Sequence, residues 1–252
     1  MNFLNKCITV FTLVSIVACV RFIKNSHNNE SATCVIGTSA DFPPFSFFDQ
    51  NGTIIGFDID LIKEVFSRLN REYRIENMPF ETLLPQMQFG ALDIIAAGMS
   101  PTPERAQRIF FSDPYLSADP LTIIKKVDNK KIESVNDLIG KQVAVNQGYV
   151  ADMQLSKIKG IRLLKLPSIQ DGLLALNHDK VDAFVTGART IKPLLQIVGH
   201  AFEFIPINEL TETTAFGVAK KRASLVPQIN DALRQLQADG TLEKLKQKWN
   251  IE

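Results

Sequence analysis

What most constrains this chain is an alternation, begun at Cys34, of short apolar runs with segments of helical period. Cys34-Val-Ile-Gly-Thr38 reads as a strand, and Gly56-Phe-Asp-Ile-Asp-Leu61 opens a helix in which Leu61, Val65 and Leu69 recur every fourth residue beside Ile62 and Phe66. Tyr73 to Phe80 is a second strand. Leu83, Leu84 and Met87 give the next helix its buried face, and Ile94 to Ala97 is a third apolar run. A βαβαβ order requires a mostly parallel sheet with helices packed against it, so the fold class is α/β. Ligands of such sheets sit at the carboxyl ends of the strands. Ser39 to Phe45, Phe80 and Gly98 to Arg105 all fall at ends of that kind, and so converge on one site.

After Phe111-Ser-Asp-Pro-Tyr115 the pattern restarts. Strands are expected over Pro120–Lys126, Lys141–Asn146, Ile161–Leu166, Val181–Val185 and Phe202–Ile207, with helical segments over Val135–Ile139, after Gln147-Gly-Tyr149 and over Ile169–Leu176. This second unit is expected to hold a core of its own. Ala215–Ala219 is a further strand, Leu225–Leu236 is amphipathic, and Leu242, Leu245 and Trp249 stripe a last helix. The simplest path leaves one lobe near Tyr115 to Pro120 and returns near Thr214 to Val218, which makes two hinge crossovers.

The densest chemistry lies in Leu92 to Arg105. Thr102 suits an N-cap, Pro103 the first helical position, and Glu104 the first turn. Gly98 lets a ligand approach the main chain, amide groups near the helix start attract an anion, and Arg105 offers the forked donors that match a carboxylate. The competing reading gives Gly98 to the turn and Arg105 to a solvated face.

Composition excludes several classes. With 252 residues, 45% of them hydrophobic, the chain can bury one large core or two modest ones. A net charge of +1 and the lack of a basic stripe interleaved with aromatics argue against nucleic acid. Three cysteines make no disulfide scaffold, and no Cys/His cluster has zinc spacing, so no metal or cofactor is expected. Lys6 followed by the apolar run Ile8 to Ala18 reads as a secretory signal over residues 1–19. Either the chain is cleaved near Ala18, or Ile16-Val-Ala-Cys19 acts as a lipobox and Cys19 carries lipid. Residues 20–33 then form a flexible tether, and Cys34 is left as a single buried thiol.

Four ordered stretches resemble one known family: Gly37-Thr-Ser-Ala-Asp-Phe-Pro-Pro-Phe45, Gly56 to Leu61, Leu92 to Arg105 with Phe111 to Tyr115, and Asp239-Gly-Thr-Leu242 with Lys248-Trp249. They are similar to the periplasmic solute-binding proteins of polar amino acid ABC transporters, over about Val35 to Asn250. The resemblance implies a two-lobed, type II periplasmic-binding-protein fold, with residues 34–117 and 216–252 in lobe 1 and 118–215 in lobe 2. It implies a monomer that captures an amino-acid-like solute and passes it to a membrane permease, in the periplasm or at the cell surface, with no catalytic residue. Arg105 matches the arginine that grips the ligand's α-carboxylate, with Ala97, Gly98 and Ser100 beside it. Phe42 and Phe80 match aromatics that sandwich the ligand side chain, and Ser39 stands where relatives place an acid. Asn146, Tyr149 and Val150, with Thr186, match the second lobe's share of the site.

One position departs from that pattern. Where the family places an acid for the ligand's α-ammonium, this chain has Gly187, between Thr186 and Ala188. Either another acid substitutes, with Asp41 the first candidate, or the ligand is not a plain α-amino acid. Two alternatives stay open: an enzyme similar to cyclohexadienyl dehydratases, with its acid among Asp41, Glu81 and Asp152, or a ligand-sensing module.

Overall fold

The computed structural model describes residues 33–192 and 201–251. The signal, Cys19 and nearly all of the tether lie outside them. The chain begins with β1 (Cys34–Thr38), followed by three short strands, β2 (Asp41–Phe42), β3 (Ser46–Phe48) and β4 (Ile54–Ile55), paired antiparallel into a small sheet of their own. Strands of two or three residues show no period, so these three are not announced by the sequence.

Helix α1 (Phe57–Leu69) buries Phe57, Ile59, Leu61, Ile62, Val65 and Phe66 and ends at Asn70 in the left-handed conformation. Each fully buried side chain of this size contributes about 1.5–3 kcal/mol, so this face anchors the first lobe. Next come β5 (Tyr73–Asn77), α2 (Phe80–Gln88), β6 (Ile94–Ile95), the single turn α3 (Pro103–Ala106) and β7 (Phe110–Phe111). The second unit runs β8 (Leu116–Lys126), β9 (Gln142–Asn146), α4 (Val150–Leu155), β10 (Arg162–Leu166), α5 (Ile169–Asn177), β11 (Ala183–Gly187), α6 (Ala188–Ile191) and β12 (Phe202–Thr214). The chain then adds β13 (Gly217–Val218), α7 (Leu225–Ala238) and α8 (Thr241–Lys248).

Two five-stranded sheets result, ordered β5-β1-β6-β13-β7 and β10-β9-β11-β8-β12. The first is parallel from β5 to β6, and β13 joins it antiparallel on returning from the second sheet. The two crossovers, β8 and β12, pair with each other from Leu116↔Thr214 to Lys126↔Phe202. The hinge is thus a two-stranded ribbon, with register shifts between Ile207 and Thr211 and between Glu212 and Thr214.

The cores are less separate than the sequence suggests. One apolar cluster includes Ile36, Phe57, Phe66 and Phe216 of the first sheet's side together with Ile124, Ala144 and Phe184 of the second. Each lobe also has a cluster of its own, around Leu83, Leu92 and Ile95 in one and around Ile123, Val143 and Val185 in the other. Tyr149, packed against two of these clusters, helps to bridge the lobes. Cys34 is buried, and burial pushes its thiol up to about 12, which makes it inert.

Candidate functional site

Arg105 is only 5% exposed and lies where the lobes meet. One guanidinium nitrogen donates to Ser100 O at 2.8 Å and the other to Gly148 O, across the cleft, also at 2.8 Å. The cation stands 5.4 Å from the Phe80 ring centre. Burial lowers its pKa to about 10, so it remains charged at neutral pH. A guanidinium has five N–H donors, and two are spent on these carbonyls. The remainder suit a carboxylate, and the solvated-face alternative is excluded.

The helix start contributes less than its sequence suggested. Thr102 is the N-cap, and its hydroxyl accepts the Arg105 amide at 3.3 Å. That spends one amide, and α3 has only four residues, so the turn aligns few peptide dipoles. Gly98 is not free either, for its amide donates to Asp58 Oδ2 at 2.6 Å. Its φ is +62°, and a Cβ there would stand 2.5 Å from Phe42 Cε1. Gly98 therefore serves the shape of the wall, packed against Phe42, and its N–H is not an anion donor.

Asp58 and Asp60 explain why three motifs far apart in sequence belong together. Asp58 Oδ2 accepts both Gly98 N–H and, at 2.8 Å, the Tyr115 hydroxyl, which ties the α1 start to the clamp and to the Phe111–Tyr115 stretch. Asp60 faces the other way, taking Lys248 Nζ at 2.7 Å and Trp249 Nε1 at 3.0 Å. Their place in the first turn signals a dipole role, but the structure gives each a tertiary one.

The aromatic residues do gather. The Tyr149 ring lies 4.2 Å from Phe80, nearly parallel to it, and 5.1 Å from Phe42. In this closed form the ring held between Phe42 and Phe80 is that of Tyr149, from the opposite lobe. Lys157 reaches Glu104 across the same opening at 3.1 Å. Val150 is buried at the start of α4, and Ala97 is fully buried behind the wall. Ser39 is buried and donates to Asp41 Oδ1 at 2.7 Å, so these two residues satisfy each other.

On the second lobe, Asn146 is 1% exposed, and neither Oδ1 nor Nδ2 has a hydrogen-bond partner among the described residues. Two buried polar atoms at the end of β9, two residues from the carbonyl that Arg105 holds, thus keep their hydrogen-bonding capacity unspent while the lobes are in contact. Thr186 is buried beside it on β11. Asp152 takes Gly148 N–H at 2.9 Å and pairs with Lys165 at 2.8 Å, which fixes the turn that carries Tyr149.

Sequence reading missed Glu212. Its carboxylate accepts the Ser100 hydroxyl at 3.4 Å, and burial together with neighbouring Asp119 pushes its pKa up to about 7. The run Thr211-Glu-Thr-Thr214 is polar and resembles a loop, although its threonines favour a strand.

Two sheets joined by a paired-strand hinge, closing on a buried arginine, define a two-lobed binding protein. The chain belongs to the bacterial extracellular solute-binding proteins, family 3, whose model matches residues 34–252. Among curated proteins it is similar to the arginine-binding extracellular protein ArtP of Bacillus subtilis, with 29% identity over 94% of this chain and 96% of that one. Among solved structures it matches an ancestral arginine-binding protein bound to arginine, with TM-score 0.81 and 33% identity, covering 86% of this chain and 97% of the other. The ancestral arginine-binding protein bound to glutamine matches equally well, with TM-score 0.81 and 33% identity over 87% and 98%.

Proposed function

We propose that this chain captures an amino acid between its lobes and delivers it to the permease of an ABC importer. The observation that carries this reading is Arg105, which is charged, buried in the cleft and has N–H donors left over. A ligand carboxylate placed there would link both lobes, because the same guanidinium already touches Gly148. Closure removes water from that contact and strengthens it, and the permease reads the closed shape.

Arginine and glutamine, bound by similar proteins, head the ligand panel. A side chain that uses the slot between Phe42 and Phe80 must replace the ring of Tyr149 there. The site assignments for Ser39, Asp41, Val150 and Thr186 and the lobe boundaries at 117/118 and 215/216 belong to the same proposal. So does action as a monomer, in the periplasm or at the cell surface.

A calorimetric screen of amino acids, short peptides and other carboxylates is expected to yield at least one amino acid with micromolar or tighter affinity. Recovering that compound unchanged would separate capture from dehydratase-like turnover, and a modified product would overturn the reading. Two of the candidate acids for such turnover are already engaged, Asp152 by Lys165 and Asp41 by Ser39. We place a lipid anchor on Cys19. Cys19→Ser is expected to move the protein from membrane to soluble fractions, and retention on the membrane would refute the anchor.

A further inference from the structure

We propose that Glu212, on the hinge strand β12, receives the ammonium group of the ligand, in place of an acid at position 187. The inference rests on the amino acid reading above and concerns how that ligand is held.

The space decides it. A Cβ built on Gly187 would fall on Glu212 Oε1 and would come within 3.2 Å of Asp119 Oδ2. Gly187 has φ −67°, which any residue adopts, so the backbone does not demand glycine there. The missing side chain makes room for a carboxylate that arrives from another strand. β12 is built to send it, because Glu212, opposite Asp119, lies between two register shifts, and such irregularities re-aim side chains.

Charge points the same way. The groups around the Glu212 carboxylate include Asp119 on β8, Arg105 on α3, Arg189 on α6, the Ser100 hydroxyl and the Tyr149 hydroxyl. Arg189 is turned toward Asp119, with its amide 2.9 Å from Oδ2 and its guanidinium 3.7 Å from Oδ1. Arg105 spends two donors on main-chain carbonyls. Among the described residues Glu212 accepts one hydrogen bond, from the Ser100 hydroxyl at 3.4 Å, and burial with the like charge of Asp119 outweighs the pull of Arg105 and Arg189, an arrangement that a further cation would relieve.

A second observation marks the spot as a ligand site. The register Val145↔Val185 sets Asn146 level with Thr186, one residue before Gly187, and Asn146 is the buried side chain with neither polar atom satisfied. Arg105 for a carboxylate, Glu212 for an ammonium and Asn146 for either form the complement of a zwitterion. Because Glu212 sits on the hinge, binding the ammonium there would also fix the angle between lobes.

The test is calorimetry on the full chain with the amino acid found by the screen. Glu212→Gln, which keeps shape and removes charge, is expected to weaken binding on the order of 100-fold. Asp41→Asn should weaken it less than threefold. Wild type should reject the N-acetylated ligand, whereas Glu212→Gln should discriminate against it far less. Gly187→Asp is expected to restore at least tenfold of the lost affinity in a Glu212→Ala background, where the Glu212 carboxylate no longer fills the space and Asp119 Oδ2, 3.2 Å from the new Cβ, is the remaining neighbour to give way. Full affinity in Glu212→Gln, or a 100-fold loss in Asp41→Asn, would overturn the proposal while leaving amino acid capture intact. If wild type bound no amino acid, the functional reading itself would fail first.

Discussion

Arg105→Ala is expected to lower affinity for the captured amino acid by roughly 30- to 5,000-fold, the equivalent of about 2–5 kcal/mol for truncating one partner of a buried charge pair. The size follows from burial. At 5% exposure the guanidinium has already surrendered most of its water, so a carboxylate meeting it exchanges little hydration for a forked, charged contact. Arg105→Lys tests the geometry separately from the charge. A lysine keeps the cation but offers no fork, so at least a tenfold loss is expected to persist.

The same substitution should also lower thermal stability. Arg105 holds Ser100 O and Gly148 O, and the second bond spans the cleft. Losing both is partly offset by removing a desolvated charge, which leaves a net loss on the order of 1 kcal/mol, or a Tm lower by about 2–4 °C. The ligand-free variant should also be more open, read as a larger radius of gyration by small-angle scattering. Unchanged affinity in Arg105→Ala would remove the clamp altogether.

Periodicity made the frame legible. Leu61, Val65 and Leu69 announce α1, and the cap of Thr102 with Pro103 announces the turn that presents Arg105. Those signals are local, and the structure obeys them because local preference and tertiary packing agree. What sequence could not show depends on residues meeting from afar. Tyr149 stacks on Phe80 across the cleft, from the opposite lobe. Glu212 fills the space that a side chain at Gly187 would take, and nothing in the sequence around Gly187 says which distant residue occupies it. The small β2–β4 sheet escaped for a different reason: two-residue strands owe their pairing to neighbours and leave no trace of their own. Asp58 and Asp60, two residues apart in one helical turn, looked equivalent. Only their tertiary partners distinguish them, Gly98 and Tyr115 for one and Lys248 and Trp249 for the other.

Asp58 sets up the second large effect, on stability against pH. Its carboxyl is fully buried, and Oδ2 is held by Gly98 N–H and Tyr115 O–H while Oδ1 has no partner. Burial raises its pKa from 3.8 to about 7, and the two hydrogen bonds pull back only part of that shift. The folded protein therefore holds a proton that the unfolded chain has already released between pH 4 and 7. The stabilisation this gives is full at the acid end of the window and fades as pH rises through the folded value. From pH 5 to pH 8 the group alone should cost about 2.5 kcal/mol. Asp58→Asn keeps an acceptor for Gly98 and Tyr115 but cannot ionise, so it should flatten the pH profile by that amount and match or exceed wild type in stability at pH 8. Glu212 titrates in the same range and continues to contribute in both proteins, so only the difference between them reports on Asp58. Urea midpoints measured at pH 5 and 8 decide it. Parallel profiles for the two proteins would mean that Asp58 is ionised throughout, held as a permanent anion beneath the clamp.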